Sequence, residues 1–401
     1  MDKWYMHRRA QDCILQSYLT NSKRPESLIK GITPTHVARG RGGFLWDHQG
    51  KKYLDFICGL GTNLVGYAHP KVNAAMTKAM DDGASHSLAT HYELDAAEKL
   101  KELFPFVKAV KWLKTGSDAC LAAIKIARAK TGRTWVLSEG YHGWGDSFVS
   151  LTAPALGVPP DQHISAWDQN VESLSNIAAV IVEPIITDTS LERLEWLKQL
   201  REDCTKHGVL LIFDEIITGF RWPSFSVANH YGITPDLICL GKAIASGMPL
   251  AAVGATAGIA LDLPEYFISS TYAGETLSLA AAIATMSLLQ REFQIAWLWS
   301  NGQAFLDKFN AIFPEGIWLE GYPSRSVFRG DELVRALFFQ ECARAGILVG
   351  PSFWMNFPLI DEAKNALVSM EAILGRIKRG EVELAGEMPS SPFAQKMREQ
   401  Q

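Results

Sequence analysis

VLLIFDE (209–215) and DLICLGK (236–242) are the two stretches whose reading decides the fold. Each is an unbroken apolar run of strand length, and each ends on residues that carry chemistry, Asp214-Glu215 and Gly241-Lys242. A continuous apolar run belongs to a strand buried on both faces, and parallel sheets covered by helices are built from such strands. Three further runs of this kind lie upstream: AVKWL (109–113), TWVLS (134–138) and AAVIVEP (178–184). Helical patterns fill the intervals from about residue 70 to 255. An α/β fold is therefore predicted, with a large domain around a mainly parallel sheet.

Outward from this centre the pattern thins. Residues 1–20 read as a helix carrying Ile14, Leu15, Tyr18 and Leu19, and GGFLWDHQGKKYLDF (42–56) reads as a hairpin around His48-Gln49-Gly50. TLSLAAAIATMSLLQ (276–290) is a small-residue helix suited to close packing. Sparser elements follow: GIWLE (316–320), a helix near 331–345, GILVG (346–350), a helix near 361–378 and a polar tail. The expected domains are 1–60, the N-terminal segment of a smaller α+β domain; 61–290, the large domain; and 291–401, the small domain's shortened C-terminal segment with the tail.

Composition narrows the function classes. The chain has 401 residues, 47% hydrophobic and 20% charged, as is ordinary for a soluble protein of more than one core. A net charge of -4 argues against a nucleic-acid or polybasic membrane role. The six cysteines are scattered without a CxxC pair, which suits neither a zinc site nor a disulfide framework and fits a reducing compartment. The charged N-terminus, MDKWYMHRRAQD, lacks the apolar core of a signal peptide. Residues 243–261 carry no charge, yet three glycines, Pro249 and many alanines point to a turn and a buried strand, not a membrane span. A cytoplasmic protein with no metal is expected.

In an open α/β sheet, ligands bind beyond the carboxyl ends of the strands. Those ends carry Asp214-Glu215, Gly241-Lys242, Glu183-Pro184, Lys114-Thr115-Gly116-Ser117 and Glu139-Gly140-Tyr141-His142-Gly143-Trp144. Singly, each has a bland explanation, because an aspartate or a TGS string there commonly caps a helix and a lysine is commonly solvated. Together they match one ligand, pyridoxal phosphate. Its aldehyde needs a lysine amine for a Schiff base, and its ring nitrogen a carboxylate. Its phosphate suits a helix N-terminus, and its ring benefits from an aromatic face. Lys242, Asp214, Gly116-Ser117 and Tyr141 fill these roles in order. Asp118 adds a negative charge beside the phosphate position, so its side chain is expected to point away.

LIFDEIITGFRW (211–222), YGITPDLICLGKAIASGMPLAAVGA (231–255) and EGYHGW (139–144) resemble the class III aminotransferases of the fold-type-I pyridoxal-phosphate family. GTNLVGYAHP (61–70), AVIVEP (179–184) and TGSDA (115–119) agree, so the likeness runs from about residue 30 to 290. Within the class the chain looks closest to glutamate-1-semialdehyde aminomutase-like and sugar-type members. The resemblance implies that Lys242 carries the cofactor, Asp214 pairs with its ring nitrogen, and Ile216 packs on the ring face opposite Tyr141. It further implies that Gly116 and Ser117 hold the phosphate and that Glu183 lies close by. Thr271 of SSTYAGET (269–276) is implied to reach the neighbouring subunit's phosphate, making a homodimer with active sites at the interface. His142, Trp144 and Tyr272 are candidates for the substrate pocket.

Four positions depart from the pattern. Gly274-Glu275-Thr276 replaces the relatives' Gly-Asn-Pro, and Asp188 falls near the aminomutase's asparagine. Its N-terminal arginine falls at about Ser27, and its C-terminal glutamate near Met355. The implied activity is ping-pong transfer of an amino group from a small-molecule donor to a ketone or aldehyde acceptor such as a keto sugar or sugar nucleotide. The alternative is a glutamate-1-semialdehyde 2,1-aminomutase-type isomerase. Trp144, Tyr272, Phe353 and Trp354 are expected to offer flat surfaces for ring stacking. A nicotinamide dehydrogenase is excluded because Gly59-Leu60-Gly61-Thr62-Asn63-Leu64 fails at the third glycine of GxGxxG.

Overall fold

The computed structural model describes residues 4–151, 155–160, 162–167, 176–261, 265–385 and 387–389. The chain divides into two compact units, one spanning Pro70–Ile295 and the other joining Met1–His69 to the segment that begins at Ala296.

The Pro70–Ile295 unit is built on a seven-stranded sheet. Its strands are β1 (Ala109–Leu113), β2 (Trp135–Glu139), β3 (Ile164–Ala166), β4 (Ile177–Val182), β5 (Leu210–Glu215), β6 (Leu237–Leu240) and β7 (Ala251–Ala255). Their order is β1-β7-β6-β5-β4-β2-β3. The ladders linking β6, β5, β4, β2 and β3 are parallel, while β7 runs antiparallel to both neighbours. Every residue of β4 is buried, as a strand covered on both faces requires. The uncharged stretch 243–261 supplies a 3-10 turn and then β7. Among the described residues no helix is long and apolar enough to cross a membrane.

The helix that follows β1, α1 (Gly116–Thr131), packs on this sheet. Thr115 caps it by accepting the Asp118 N–H, and Gly132 ends it at φ 68° in the left-handed region. Its buried face, Ala119, Cys120, Ala122, Ala123, Ile126 and Ala127, is mostly small. Small side chains let the helix axis approach Ala179, Ile212, Cys239 and Ala251 closely in a shared core. The helix α2 (Leu191–His207) runs from β4 to β5, and α3 (Thr276–Arg291) is the expected small-residue helix.

In the other unit the expected hairpin forms between Phe44–Asp47 and Lys52–Asp55, closed by the Asp47 carboxylate, which accepts the N–H groups of Gln49 and Lys51. Ile347–Leu348 adds a parallel strand to it. A second sheet joins Ile317–Tyr322, Arg325–Gly330 and Ser352–Trp354. The ring of Phe353 stacks on Phe56 at 4.5 Å and on Phe305 at 5.0 Å.

Three expectations change. The N-terminal helix covers only Tyr5–Cys13; Ile14 turns extended, and Leu15 and Leu19 are solvent-facing. Phe353 and Trp354 are 2% and 4% exposed, so they are core residues of this unit and not open stacking faces. The helix Ile295–Asn310 and the strand Arg325–Gly330 were not expected.

Candidate active site

The carboxyl ends of β2, β4, β5 and β6 fall in line, because Glu139 pairs in register with Val182, Val182 with Phe213, and Asp214 with Cys239. Asp214 therefore stands at the sheet edge one strand away from Gly241-Lys242. Its side chain is buried, and three elements donate to it. Ile216 N–H reaches Oδ1 at 3.0 Å, His142 Nδ1 reaches Oδ2 at 2.7 Å, and Cys120 Sγ of α1 lies 3.3 Å from Oδ2.

His142 is buried behind Asp214, 2% exposed, and so is a support of that carboxylate and not an open pocket wall. Its second nitrogen, Nε2, lies 3.1 Å from the Glu139 carbonyl oxygen. A carbonyl and a carboxylate both only accept, so both ring nitrogens carry protons. Burial alone would lower the pKa of His142, but its bonds to Asp214 and Cys120 outweigh that and push it up to about 10. Burial holds the Cys120 thiol well above its ordinary pKa, so it too is a donor. Cys120, His142 and Asp214 offer sulfur, nitrogen and oxygen within 4.8 Å of one another, a set that geometry alone would allow a metal. Here the protons that a metal would displace are those bonded to Asp214.

The loop after β2 is tied at three points. Tyr141 N–H donates to Glu183 Oε1 at 2.8 Å, His142 meets Asp214, and Trp144 N–H donates to Ser117 Oγ at 3.3 Å. Gly143, at φ 104°, is obligatory there, since a Cβ on it would overlap the Ser117 side chain. Tyr141 and Trp144 stay exposed at 56% and 74%. Glu183 is buried.

Ile216 wedges between two glycines. A Cβ on Gly116 would lie 3.1 Å from it, and one on Gly241 3.0 Å. This brings the start of α1, the end of β5 and the start of the Lys242–Ala245 turn into one neighbourhood. Lys242 has φ 35°, a left-handed conformation that costs a side-chain-bearing residue about 1–3 kcal/mol and is characteristic of functional positions. At the start of α1 the Asp118 carboxylate turns back to accept the Thr115 N–H at 2.9 Å, completing a capping box. Glu215, beside Asp214, accepts from Thr218 Oγ1, Val227 N–H and Ala228 N–H, and burial pushes it up to about 7. It fastens the chain that follows β5.

Thr271, with residues 268–270 and 273–275, borders a cavity of about 460 Å³ with His86, Glu93, Lys111 and Trp112. Lys242, Asp214 and Tyr141 are not among its lining residues, so the structure does not bring Thr271 into their cluster within this chain. Tyr272 is exposed at 63%. Sequence reasoning missed Cys120 and Arg193, and placed Glu139 at a strand end without giving it a role. Only the position of Cys120 one turn inside a helix that begins at a strand end hinted at its direction.

The donor set fits pyridoxal phosphate. A helix N-terminus lies in one neighbourhood with a buried carboxylate held by its own donors, a wedge side chain, an exposed aromatic ring and a lysine.

The sequence model of the family described as class-III aminotransferases matches residues 29–314. Among solved structures, the pyridoxal-phosphate form of the FumI protein from Sphingopyxis sp. MTA144 superposes with a TM-score of 0.85 at 24% identity, covering 97% of this chain and 99% of that one. An omega-transaminase from Sphaerobacter thermophilus gives 0.80 at 22%, covering 93% and 97%. The ornithine aminotransferase from Toxoplasma gondii gives 0.81 at 22%, covering 95% and 96%. At these identities the superpositions establish the fold.

The raised pKa of His142 carries a sign. A base whose folded pKa exceeds its unfolded value stabilises fully below about pH 6.5 and loses that stabilisation as pH rises through about 10. The difference in unfolding free energy between the parent and His142→Asn, both without cofactor, should therefore be largest below about pH 6.5 and shrink toward pH 10. A difference independent of pH across that window would mean that the imidazole is not charged in the fold.

Proposed function

The chain belongs to the class-III aminotransferases, enzymes dependent on pyridoxal phosphate, and on that premise we propose that Lys242 and Asp214 are its catalytic residues and that it transfers amino groups between molecules. The observation that carries this is the buried Asp214 carboxylate, hydrogen-bonded by His142 and set at the strand end next to the strand that leads to Lys242.

Pyridoxal phosphate, when bound, supplies an electron sink for the pair left behind when a substrate carbon loses its proton. Asp214, oriented by three hydrogen-bond donors, would pair with the ring nitrogen and keep a proton on it. Ile216 and Tyr141 would flank the ring, Gly116 and Ser117 would offer first-turn N–H groups to the phosphate, and Glu183 fixes the Tyr141 backbone. Lys242 would hold the cofactor, and its Nζ would serve as the base that takes the proton from the donor's amine-bearing carbon and then as the acid that delivers it to the cofactor side, not back to the donor. The acceptor enters after the deaminated donor has left, so the kinetics are ping-pong.

The acceptor we infer is a ketone or aldehyde, with a keto sugar or sugar nucleotide as the class suited to the flat exposed faces of Trp144 and Tyr272. Intermolecular transfer is favoured over internal migration because Ser27 and Met355 stand about where an aminomutase has an arginine and a glutamate. A hydroxyl and a thioether cannot replace those charges. The names of the similar structures, an omega-transaminase and a β-phenylalanine aminotransferase among them, fall on the same side. A homodimer in which Thr271 completes the neighbour's phosphate site, and a cytoplasmic location, belong to the same proposal.

Two measurements test it. Borohydride reduction of the holoenzyme should trap the cofactor on Lys242, and Lys242→Ala should lose at least ~10²–10⁴-fold in turnover. Substantial label on another lysine would overturn the assignment. Incubated with glutamate-1-semialdehyde and no other donor or acceptor, the holoenzyme should form no more than traces of 5-aminolevulinate. Rapid formation would restore the isomerase.

A further inference from the structure

Arg193 lies in the first turn of α2, and its own side chain bonds to none of the residues placed above against the cofactor's ring nitrogen or ring face. We propose that Arg193 is a positioning residue that locks together the two strand ends from which the ring-holding loops depart. The inference rests on the reading that Asp214 and Tyr141 meet the cofactor ring.

The guanidinium grips Glu139 at the end of β2 with two parallel bonds, Nη1 to Oε1 at 2.8 Å and Nη2 to Oε2 at 3.0 Å. The same group donates to backbone carbonyls beyond the end of β4, Nη2 to Glu183 at 2.9 Å and Nε to Pro184 at 3.0 Å. Its face lies over the Trp196 ring at 4.3 Å, and its side chain is 13% exposed. One planar group thus joins two strand ends through four acceptors.

Both ends lead directly to the ring. The carbonyl of Glu139 accepts His142 Nε2, and His142 in turn holds Asp214. The carboxylate of Glu183 accepts the Tyr141 N–H, while its carbonyl is the one held by Arg193. Any displacement of Glu139 relative to Glu183 therefore tilts the ring-nitrogen partner against the stacking residue. Misplacement by about 1 Å is enough to weaken catalysis severely. A lysine cannot substitute, because a point charge on a flexible stem does not supply a rigid fork to four acceptors.

The competing explanation is that Arg193 merely fastens its helix. Arg201, on the same helix, provides the control: it pairs with Asp236 at 2.7 Å at the opposite end of the strands. The experiment compares holoenzymes of the parent, Arg193→Gln, Arg193→Lys and Arg201→Gln by three readouts. These are the visible circular dichroism of bound cofactor, its dissociation constant, and the melting temperature of the cofactor-free proteins. Both Arg193 variants should hold cofactor about tenfold or more weakly and change the sign or size of the dichroism band. Arg201→Gln should lower the melting temperature while leaving both cofactor readouts within about twofold of the parent. If Arg193→Gln does not fold, Glu139→Gln, which keeps the size but removes the charge of the fork's partner, is expected to give the same cofactor changes. Parent-like dichroism and affinity in the Arg193 variants, or equal changes in Arg201→Gln, would overturn the inference alone. A parent without any cofactor dichroism would overturn the underlying reading and this inference with it.

Discussion

The bond between His142 and Asp214 is the interaction on which the rest of the site depends. A carboxylate removed from water at a strand end is strongly disfavoured unless its charge is met by donors that are themselves held in place. Asp214 receives three, from the loop after β2, from α1 and from its own turn. Those elements must converge on one point for the charge to persist, and this convergence makes the sheet edge a site. A neutral His142 ring could donate from Nδ1, but only the doubly protonated ring also places a positive charge beside Asp214. The Glu139 carbonyl behind the ring forces its second nitrogen to carry a proton as well.

Close approach is the second requirement, and small residues supply it. The alanine-rich inner face of α1 lets Cys120 reach under Asp214, and glycines at 116, 241 and 143 leave room for Ile216 and Ser117. Larger residues at these points would push apart the groups that the ligand must bridge. Strain collects at the same edge, in the left-handed backbone of Lys242.

Much of this was legible from sequence because its signals are local. The run AVKWL became β1 without change of boundary, and the helices expected near 276–290 and 331–345 formed at Thr276–Arg291 and Glu332–Arg344. Asp214 and Lys242 could be placed at strand ends from the sequence because the apolar runs before them are unbroken. What stayed hidden depends on contacts distant in sequence. Cys120 and Arg193 sit in ordinary helical patterns, and only the packing of those helices aims them at Asp214 and Glu139. Apolar periodicity likewise cannot tell a ring that faces solvent from one stacked in a core, so Phe353 and Trp354 were misread. The N-terminal helix was overextended because leucines at 15 and 19 suggested a face that has nothing to pack against.

A carboxylate at position 214, as against a neutral amide, should set the protonation of the cofactor ring. The visible absorbance of Asp214→Asn holoenzyme, recorded near neutral pH beside the parent, tests it most directly. An amide of the same shape removes a charge-assisted bond of about 1.5–3 kcal/mol, enough to change which ring form dominates. The variant should fold and bind cofactor, with an altered visible spectrum and little amino transfer. A parent-like spectrum with near-normal rates would contradict this and assign the ring nitrogen to another partner.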